Sequence, residues 1–163
     1  MVIMNEGLTH LDESARPRMV DIAEKAITTR VAVAEAVVVF PRDAWVHLVD
    51  NGFTTKKGAL LDVARVAGTM GVKQTSQWVP FCHPLPIDGC SFEITPSPDL
   101  PQLVVRCSVK TTARTGVEME ALTGVTAAAL TIYDMTKALG HGIEIQRTRL
   151  ISKTGGKQDY LAE

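Results

Sequence analysis

The stretch TTRVAVAEAVVVF, residues 28–40, constrains this chain more than any other part of it. Its β-branched residues favour a strand. Alternation puts Val31, Val33, Val37 and Val39 on one face and Ala32, Ala34, Ala36 and Val38 on the other. Both faces are mainly apolar, so the strand is expected to be covered on both sides. At 163 residues the chain suffices for one ordinary domain and hardly for two. Another subunit is then a ready source of the second cover.

The rest of the pattern builds around that strand. Asp43 is placed to cap a short helix through Asp50, stopped by Asn51-Gly52. Leu60, Val63, Ala64, Ala67 and Met70 recur at helical spacing and predict a second helix over 58–75. PFCHPLP (80–86) cannot be helix interior and predicts a positioned loop. Cys90, Phe92 and Ile94 alternate, then Leu103, Val105, Cys107 and Val109 alternate, with Pro96 and Pro101 bounding a turn between them; this is a hairpin. The longest helix is expected from after Thr115-Gly116 to Leu139, with Leu122, Val125, Ala129, Ile132 and Leu139 as its stripe and Gly140 as its stop. A last strand over 143–151 precedes a Gly-containing tail, SKTGGKQDYLAE. The order β-α-α-β-β-α-β, with one extra short helix, matches an α+β, ferredoxin-like split βαβ sandwich. Its antiparallel sheet would be covered by helices and by neighbouring subunits. Residues 1–18 are expected to be a mobile leader, and 19–163 a single domain.

Composition narrows the function. Hydrophobic residues make up 45% and charged residues 21%, which excludes a disordered chain or a fibre. No apolar run approaches the roughly 18–20 residues of a membrane span. Glu6, Asp12 and Glu13 stand where a signal peptide would carry a basic stretch and an apolar core. Cys82, Cys90 and Cys107 are odd in number and form no CxxC pair, as for reduced thiols in a cytosol-like, cytoplasmic compartment. A net charge of −1 argues against a surface that grips nucleic acid. Basic residues nevertheless recur in small groups: Lys56 with Lys57, Lys110 with Arg114, Arg147 with Arg149, and Lys153 with Lys157. If the fold gathers some of them, a small polyanion can be held without a basic protein.

Five places can carry chemistry. His83, held between Cys82 and Pro84, suits ligand binding or proton transfer; the ordinary alternative is a loop histidine bonded to backbone. Structural zinc needs four ligands at suitable spacings, which Cys82-His83 and Cys90 do not supply. Glu118 and Glu120 share a face if the backbone there is extended and diverge by about 200° if it is helical. The plain alternative is two acids favoured by a helix dipole. Asp134 and Lys137, at i and i+3, are either functional or a surface ion pair. Glu120 and Asp134 face nearly the same side of one helix yet lie about 21 Å apart along it. One small ligand does not span that distance, so a neighbouring subunit would complete each site. Thr55-Lys56-Lys57-Gly58 at a helix start can bind an anion or be a solvated turn. Ser152-Lys153-Thr154-Gly155-Gly156-Lys157 lacks P-loop spacing; it can fold over phosphates or be a disordered end.

MVDI (19–22), KG (57–58), VARVAG (63–68), CHPL (82–85), TGVEMEALT (115–123), AALTIYDMTKA (128–138) and SKTGGK (152–157) occur in that order. Together they resemble the molybdenum cofactor biosynthesis protein C family, the cyclic pyranopterin monophosphate synthases, from about residue 8 to 158. TGVEMEALT and YDMTK are the specific strings. The resemblance implies a ferredoxin-like subunit in a hexamer, a trimer of dimers with sites at subunit interfaces. It implies a lyase that takes a cyclised dihydro-GTP, guanine C8 joined to ribose C3′, to cyclic pyranopterin monophosphate and pyrophosphate. It implies Lys57 and Lys137 as catalytic lysines and Asp134 as the active-site acid. Phe81, Cys82, His83, Glu118, Met119 and Glu120 follow as substrate-binding or proton-handling residues, and Arg30, Lys153 and Lys157 as triphosphate contacts. Phe81 stands where the family has Leu, Gly124 where Ala is common, and GGKQDY departs in the tail.

These residue types suit that chemistry. A triphosphate carries about four negative charges near neutral pH and calls for several cations. Lysine at its reference pKa of about 10.4 is an acid at pH 7, so Lys57 can donate a proton. Lys137 as a base would need its pKa lowered by roughly three units, which Asp134 opposes; which lysine is acid and which is base stays open. No dedicated metal cage is visible, so no cofactor is expected beyond any Mg²⁺ on the phosphates. The competing reading is a non-catalytic ferredoxin-like nucleotide-binding regulator. An RNA-binding module is disfavoured, since the central strands offer only Phe40 and Phe92 for stacking.

Overall fold

Strand β1, Thr28–Val39, is the middle of a five-stranded antiparallel sheet. It pairs along its whole length with β5 (Gln102–Ala113) on one side, and with β6 (Glu144–Thr154) on the other. β4 (Gly89–Pro96) flanks β5 and the two-residue β7 (Tyr160–Leu161) flanks β6, giving the order β4-β5-β1-β6-β7. β1 and β4 are both antiparallel to β5 and therefore run parallel to each other with β5 inserted between them. This is the expected α+β, split βαβ arrangement. The computed structural model describes residues 16–163; the leader expected over 1–18 lies, through residue 15, outside the described residues.

Ala32, Ala34, Ala36 and Val38 are at most 1% exposed and face α3 (Glu118–Thr136), while the other long helix, α2 (Leu60–Trp78), packs on α3 and β4. Small residues on the strand let α3 settle close to it, and small residues on the helices do the same between them. A Cβ on Gly71 would sit 2.7 Å from the Ala127 Cβ, and one on Gly124 2.7 Å from Val72 Cγ2. Such contacts leave no room for even a methyl group. The expected core stripe of α2 is corrected accordingly: Val63 and Met70 are exposed, while Leu60, Ala64, Gly68, Gly71, Val72 and Thr75 face inward. Both sets have helical spacing, and the choice between them is made by the close approach to α3.

The other face of β1 is less apolar than its valines suggest. Glu35, 2% exposed, receives Arg106 Nε and Arg147 Nη2, each at 2.9 Å, with Arg149 Nε at 3.6 Å. Burial opposes its ionisation, but the hydrogen bonds and charge of Arg106 and Arg147 outweigh this and lower its pKa.

Several boundaries move. The first helix, α1, runs Arg42–Asp50 with Pro41 at its N-cap and no side-chain cap. Asp43 lies in its first turn, favoured by the dipole rather than capping. α2 starts at Leu60 rather than Gly58, because Thr54–Thr55 (β2) and Gly58–Ala59 (β3) form a small hairpin and Gly58 has φ +114°. β6 continues to Thr154, and β7 then returns to pair Leu161 with Ser152 and Tyr160 with Lys153. The SKTGGK segment is thus neither a free tail nor a disordered end. Gly155, at φ +82°, makes the turn, where a Cβ would run into the Thr29 carbonyl oxygen.

Candidate active site

The expected site residues fall into two groups at opposite ends of α3. At its C-terminal end, Lys57 Nζ donates to Asp134 Oδ2 at 2.6 Å and to the Asp134 backbone carbonyl at 3.0 Å, while Lys137 Nζ donates to Asp134 Oδ1 at 2.8 Å. Lys57 arrives on the tip of the β2–β3 hairpin, not on a helix N-terminus, so the proposed helix-start anion site is absent in that form. Lys137 opens a 3₁₀ turn, Lys137–Leu139, that continues α3. A carboxylate in the last turn opposes the helix dipole, and two ammonium groups offset that. Hydrogen bonds from Lys137 and then Lys57 hold the Asp134 pKa at about 2, and the bond to Asp134 raises that of Lys137. Lys137 is therefore an ammonium here, the opposite of what a resting base requires.

At the N-terminal end, α3 is already helical at Glu118, so Glu118 and Glu120 diverge rather than share a face. Glu118 Oε1 accepts Lys153 Nζ at 3.0 Å. The Glu118 carboxylate folds back over Gly116, occupying the space a Cβ there would need. Glu120 points inward, 3% exposed, and its Oε1 accepts the Cys82 thiol at 3.7 Å. Its Oε2 is buried with no hydrogen-bond partner. Burial raises the Glu120 pKa, reinforced by the Glu118 charge and only partly offset by bonds from its own backbone and Cys82. Burial likewise pushes the Cys82 thiol up to about 11, with Glu120 adding to the effect.

A cavity of about 580 Å³ opens here, with Phe81, Cys82, His83, Glu118 and Met119 along one side. Val20, Ile22 and Lys25 also line it. Their segment is held by Arg114, whose Nη1 donates to the carbonyls of Ala23 and Lys25. The sequence placed Arg114 only in a basic pair with Lys110; its strap role depends on a chain crossing that no local pattern encodes. Arg30 donates from Nε to the Ala113 carbonyl and from Nη2 to the Arg114 carbonyl, both at 3.2 Å, beside the Gly155-Gly156 turn. Lys157 lies exposed beyond that turn.

Asp134 and Glu120 are separated by about 21 Å of helix axis, so the chain does not gather all twelve residues at one point. It does bring Lys57 and Lys137 onto one carboxylate within one chain. Among the described residues no three His, Cys, Asp or Glu side chains are grouped to hold a metal ion. Among them, too, no helix is long and apolar enough to cross a membrane. The cysteines are free thiols.

Fold and site together define a ferredoxin-like α+β protein with a lysine–carboxylate array and a carboxylate- and thiol-edged cavity. A family model described as the MoaC family matches residues 19–156. A protein of Xanthomonas oryzae pv. oryzae (strain MAFF 311018) is 54% identical over 155 residues, 95% of this chain and 93% of its own. One of Cereibacter sphaeroides (strain KD131 / KCTC 12085) is 53% identical over 151 residues, 93% of this chain and 94% of its own. Both are named cyclic pyranopterin monophosphate synthase. This chain belongs to the MoaC family.

Proposed function

We propose that this chain is a cyclic pyranopterin monophosphate synthase. It converts (8S)-3',8-cyclo-7,8-dihydroguanosine 5'-triphosphate to cyclic pyranopterin monophosphate and pyrophosphate in molybdenum cofactor biosynthesis. The observation that carries the reading is Asp134 holding two lysines from segments 77 and 3 residues away. Rearranging the purine needs proton transfers to ring nitrogens and carbons, and two ammonium groups fixed on one carboxylate supply positioned donors. Asp134 orients them. Closing the cyclic phosphate joins a ribose hydroxyl oxygen to the α-phosphorus, breaks the bond from that phosphorus to the bridging oxygen of the β-phosphate, and releases pyrophosphate, which carries off the hydroxyl proton. Arg30, Lys153 and Lys157 balance the charge on the leaving group. Lys153 is now held by Glu118; a phosphate in its place would free that carboxylate for proton transfer.

The working unit is a homohexamer, a trimer of dimers. The split of the site residues between the two ends of α3 supports this, since a neighbour's Glu118 end can complete the Lys57 end. So do Val63, Val66, Met70 and Trp78, which leave an exposed apolar surface on α2, and the open face of β1, which a neighbouring subunit would cover. The chemistry needs no resident metal; Mg²⁺ accompanies the phosphates, and turnover that persists after chelator treatment tests this. The enzyme works in the cytoplasm, on a small nucleotide rather than on nucleic acid or a membrane.

The decisive experiment incubates the protein with the cyclised dihydro-GTP and measures pyrophosphate and the fluorescent oxidised pterin. Both should appear together, and Lys57→Ala should abolish turnover far more than binding. Loss of affinity alone, with no product from the native chain, would make it a nucleotide-binding regulator instead.

A further inference from the structure

We propose that Thr55 is a positioning residue that aims Lys57 at Asp134; this rests on the reading of Lys57 as a proton-handling residue given above. Lys56 and Lys57 form the tip of the β2–β3 hairpin, between Thr55 and Gly58, which pair across it. Two-residue hairpin loops favour turns whose central residues take positive φ, as glycine and asparagine do readily. Neither lysine does so: among the described residues Phe53, at +55°, is the one non-glycine with positive φ. The left-handed residue is Gly58, just past the tip. Each strand beside this loop is only two residues long, too short to hold its register alone.

The Thr55 hydroxyl closes the tip. Its Oγ1 accepts the Lys57 backbone N–H at 3.1 Å and donates to the Gly58 carbonyl at 3.3 Å. One side chain thereby ties down the amide of the residue whose ammonium reaches α3. The base of the hairpin is held by other contacts. The Phe53 N–H donates to the Leu48 carbonyl at 2.8 Å, the Leu60 N–H donates to the Phe53 carbonyl at 3.0 Å, and the Phe53 ring meets Trp45 at 5.7 Å. With the base fixed, the tip is the adjustable part. The Lys57 side chain is 51% exposed, so packing does little to direct it; the backbone at its root and its two bonds to Asp134 set its aim.

The test compares Thr55→Val, which keeps the shape and removes the hydroxyl, with Thr55→Ser, which keeps the hydroxyl, and with Lys57→Ala. Misplacing a reacting group by about 1 Å costs about 10²-fold, so Thr55→Val should lose roughly 10–100-fold in kcat. Its KM should stay within about threefold, and Thr55→Ser should stay near native, because only the aim of Lys57 is altered. The backbone amide of Lys57 should exchange faster in Thr55→Val than in Thr55→Ser. Native kcat in Thr55→Val beside an inactive Lys57→Ala overturns the positioning role; native kcat in Lys57→Ala overturns the reading of Lys57 instead. Should Thr55→Val fail to fold, amide exchange in the native protein decides. A Lys57 amide no slower than that of Lys56 overturns the proposal.

Discussion

Lys57 holds Asp134 twice, at the carboxylate Oδ2 (2.6 Å) and at the backbone carbonyl (3.0 Å). The second bond satisfies a carbonyl in the last turn of α3, where backbone acceptors run short of helical partners. A residue 77 positions earlier in the chain thus caps the helix and sets its terminal carboxylate. Lys137 binds the other carboxylate oxygen, so the array is fixed from two directions.

Asp134 should titrate at about 2, followed by carbon NMR of its carboxyl, and Lys137→Ala should move that midpoint upward. A lowered acid pKa contributes stability above the unfolded value, lost as pH falls through the folded one. The Asp134 side chain is 54% exposed, so water screens the pair and the midpoint should move with little change in melting temperature. Any acidic limb in kcat above pH 4 should therefore come from a group other than Asp134.

Glu120 has the opposite sign. Its raised pKa means the folded chain keeps a proton that the unfolded chain releases above the ordinary value of 4.5, so stability falls as pH rises through that window. Glu120→Gln should raise the melting temperature at pH 7, and the gain should vanish at pH 4. Turnover should fall by about 10²-fold if Glu120 transfers a proton. Equal melting temperatures at pH 7 would show that burial does not strain this carboxylate.

Gly116 is required by its neighbour. A methyl group there would occupy the space of the Glu118 carboxylate and displace it from Lys153. Gly116→Ala should cost about 10-fold or more in kcat/KM, from a misplaced group, with a native circular dichroism spectrum. The comparison with Glu118→Gln checks the cause, since the two losses should not add.

Gly124 is matched to this chain's own core. A Cβ there would lie 2.7 Å from Val72 Cγ2, 3.1 Å from Cys107 Sγ and 3.2 Å from the Phe92 ring. Gly124→Ala should destabilise by about 1–3 kcal/mol through overpacking, despite the better helix propensity of Ala. Adding Phe92→Val should recover part of that loss in denaturant unfolding.

Mixing tests the assembly. Lys57→Ala and Glu118→Gln remove opposite ends of the site, and reassembly of the two inactive proteins should restore about a quarter of the sites if each is built across a two-fold interface. Lys57→Ala mixed with Lys137→Ala should restore none by exchanging those two lysines, since both belong to one chain's array. Recovery in that second mixture alone would reverse the assignment.

Much of the architecture was legible because it is periodic. The alternation in 28–40 made β1, the alternations around Phe92 and Val105 made the β4–β5 hairpin, and the stripe through Val125 and Ile132 made α3. The misreadings share a cause. On α2, two apolar stripes had equal spacing, and the sequence could not show that glycines at 68 and 71 would press against α3. At 54–59, strands of two residues are too short to display any period. The extension of β6 to Thr154 depends on pairing with β1, which lies over a hundred residues away.

By itself the sequence determined the fold class, the family strings and the identity of the charged groups at the two ends of α3, because these follow from local period and residue type. Only the tertiary structure decided which groups meet. It put Lys57 and Lys137 on one carboxylate, sent Glu118 to Lys153 and Glu120 to Cys82, and placed Arg114 across the cavity wall. Contact, burial and hence pKa depend on distances between segments remote in the chain, and a local pattern carries no information about those distances.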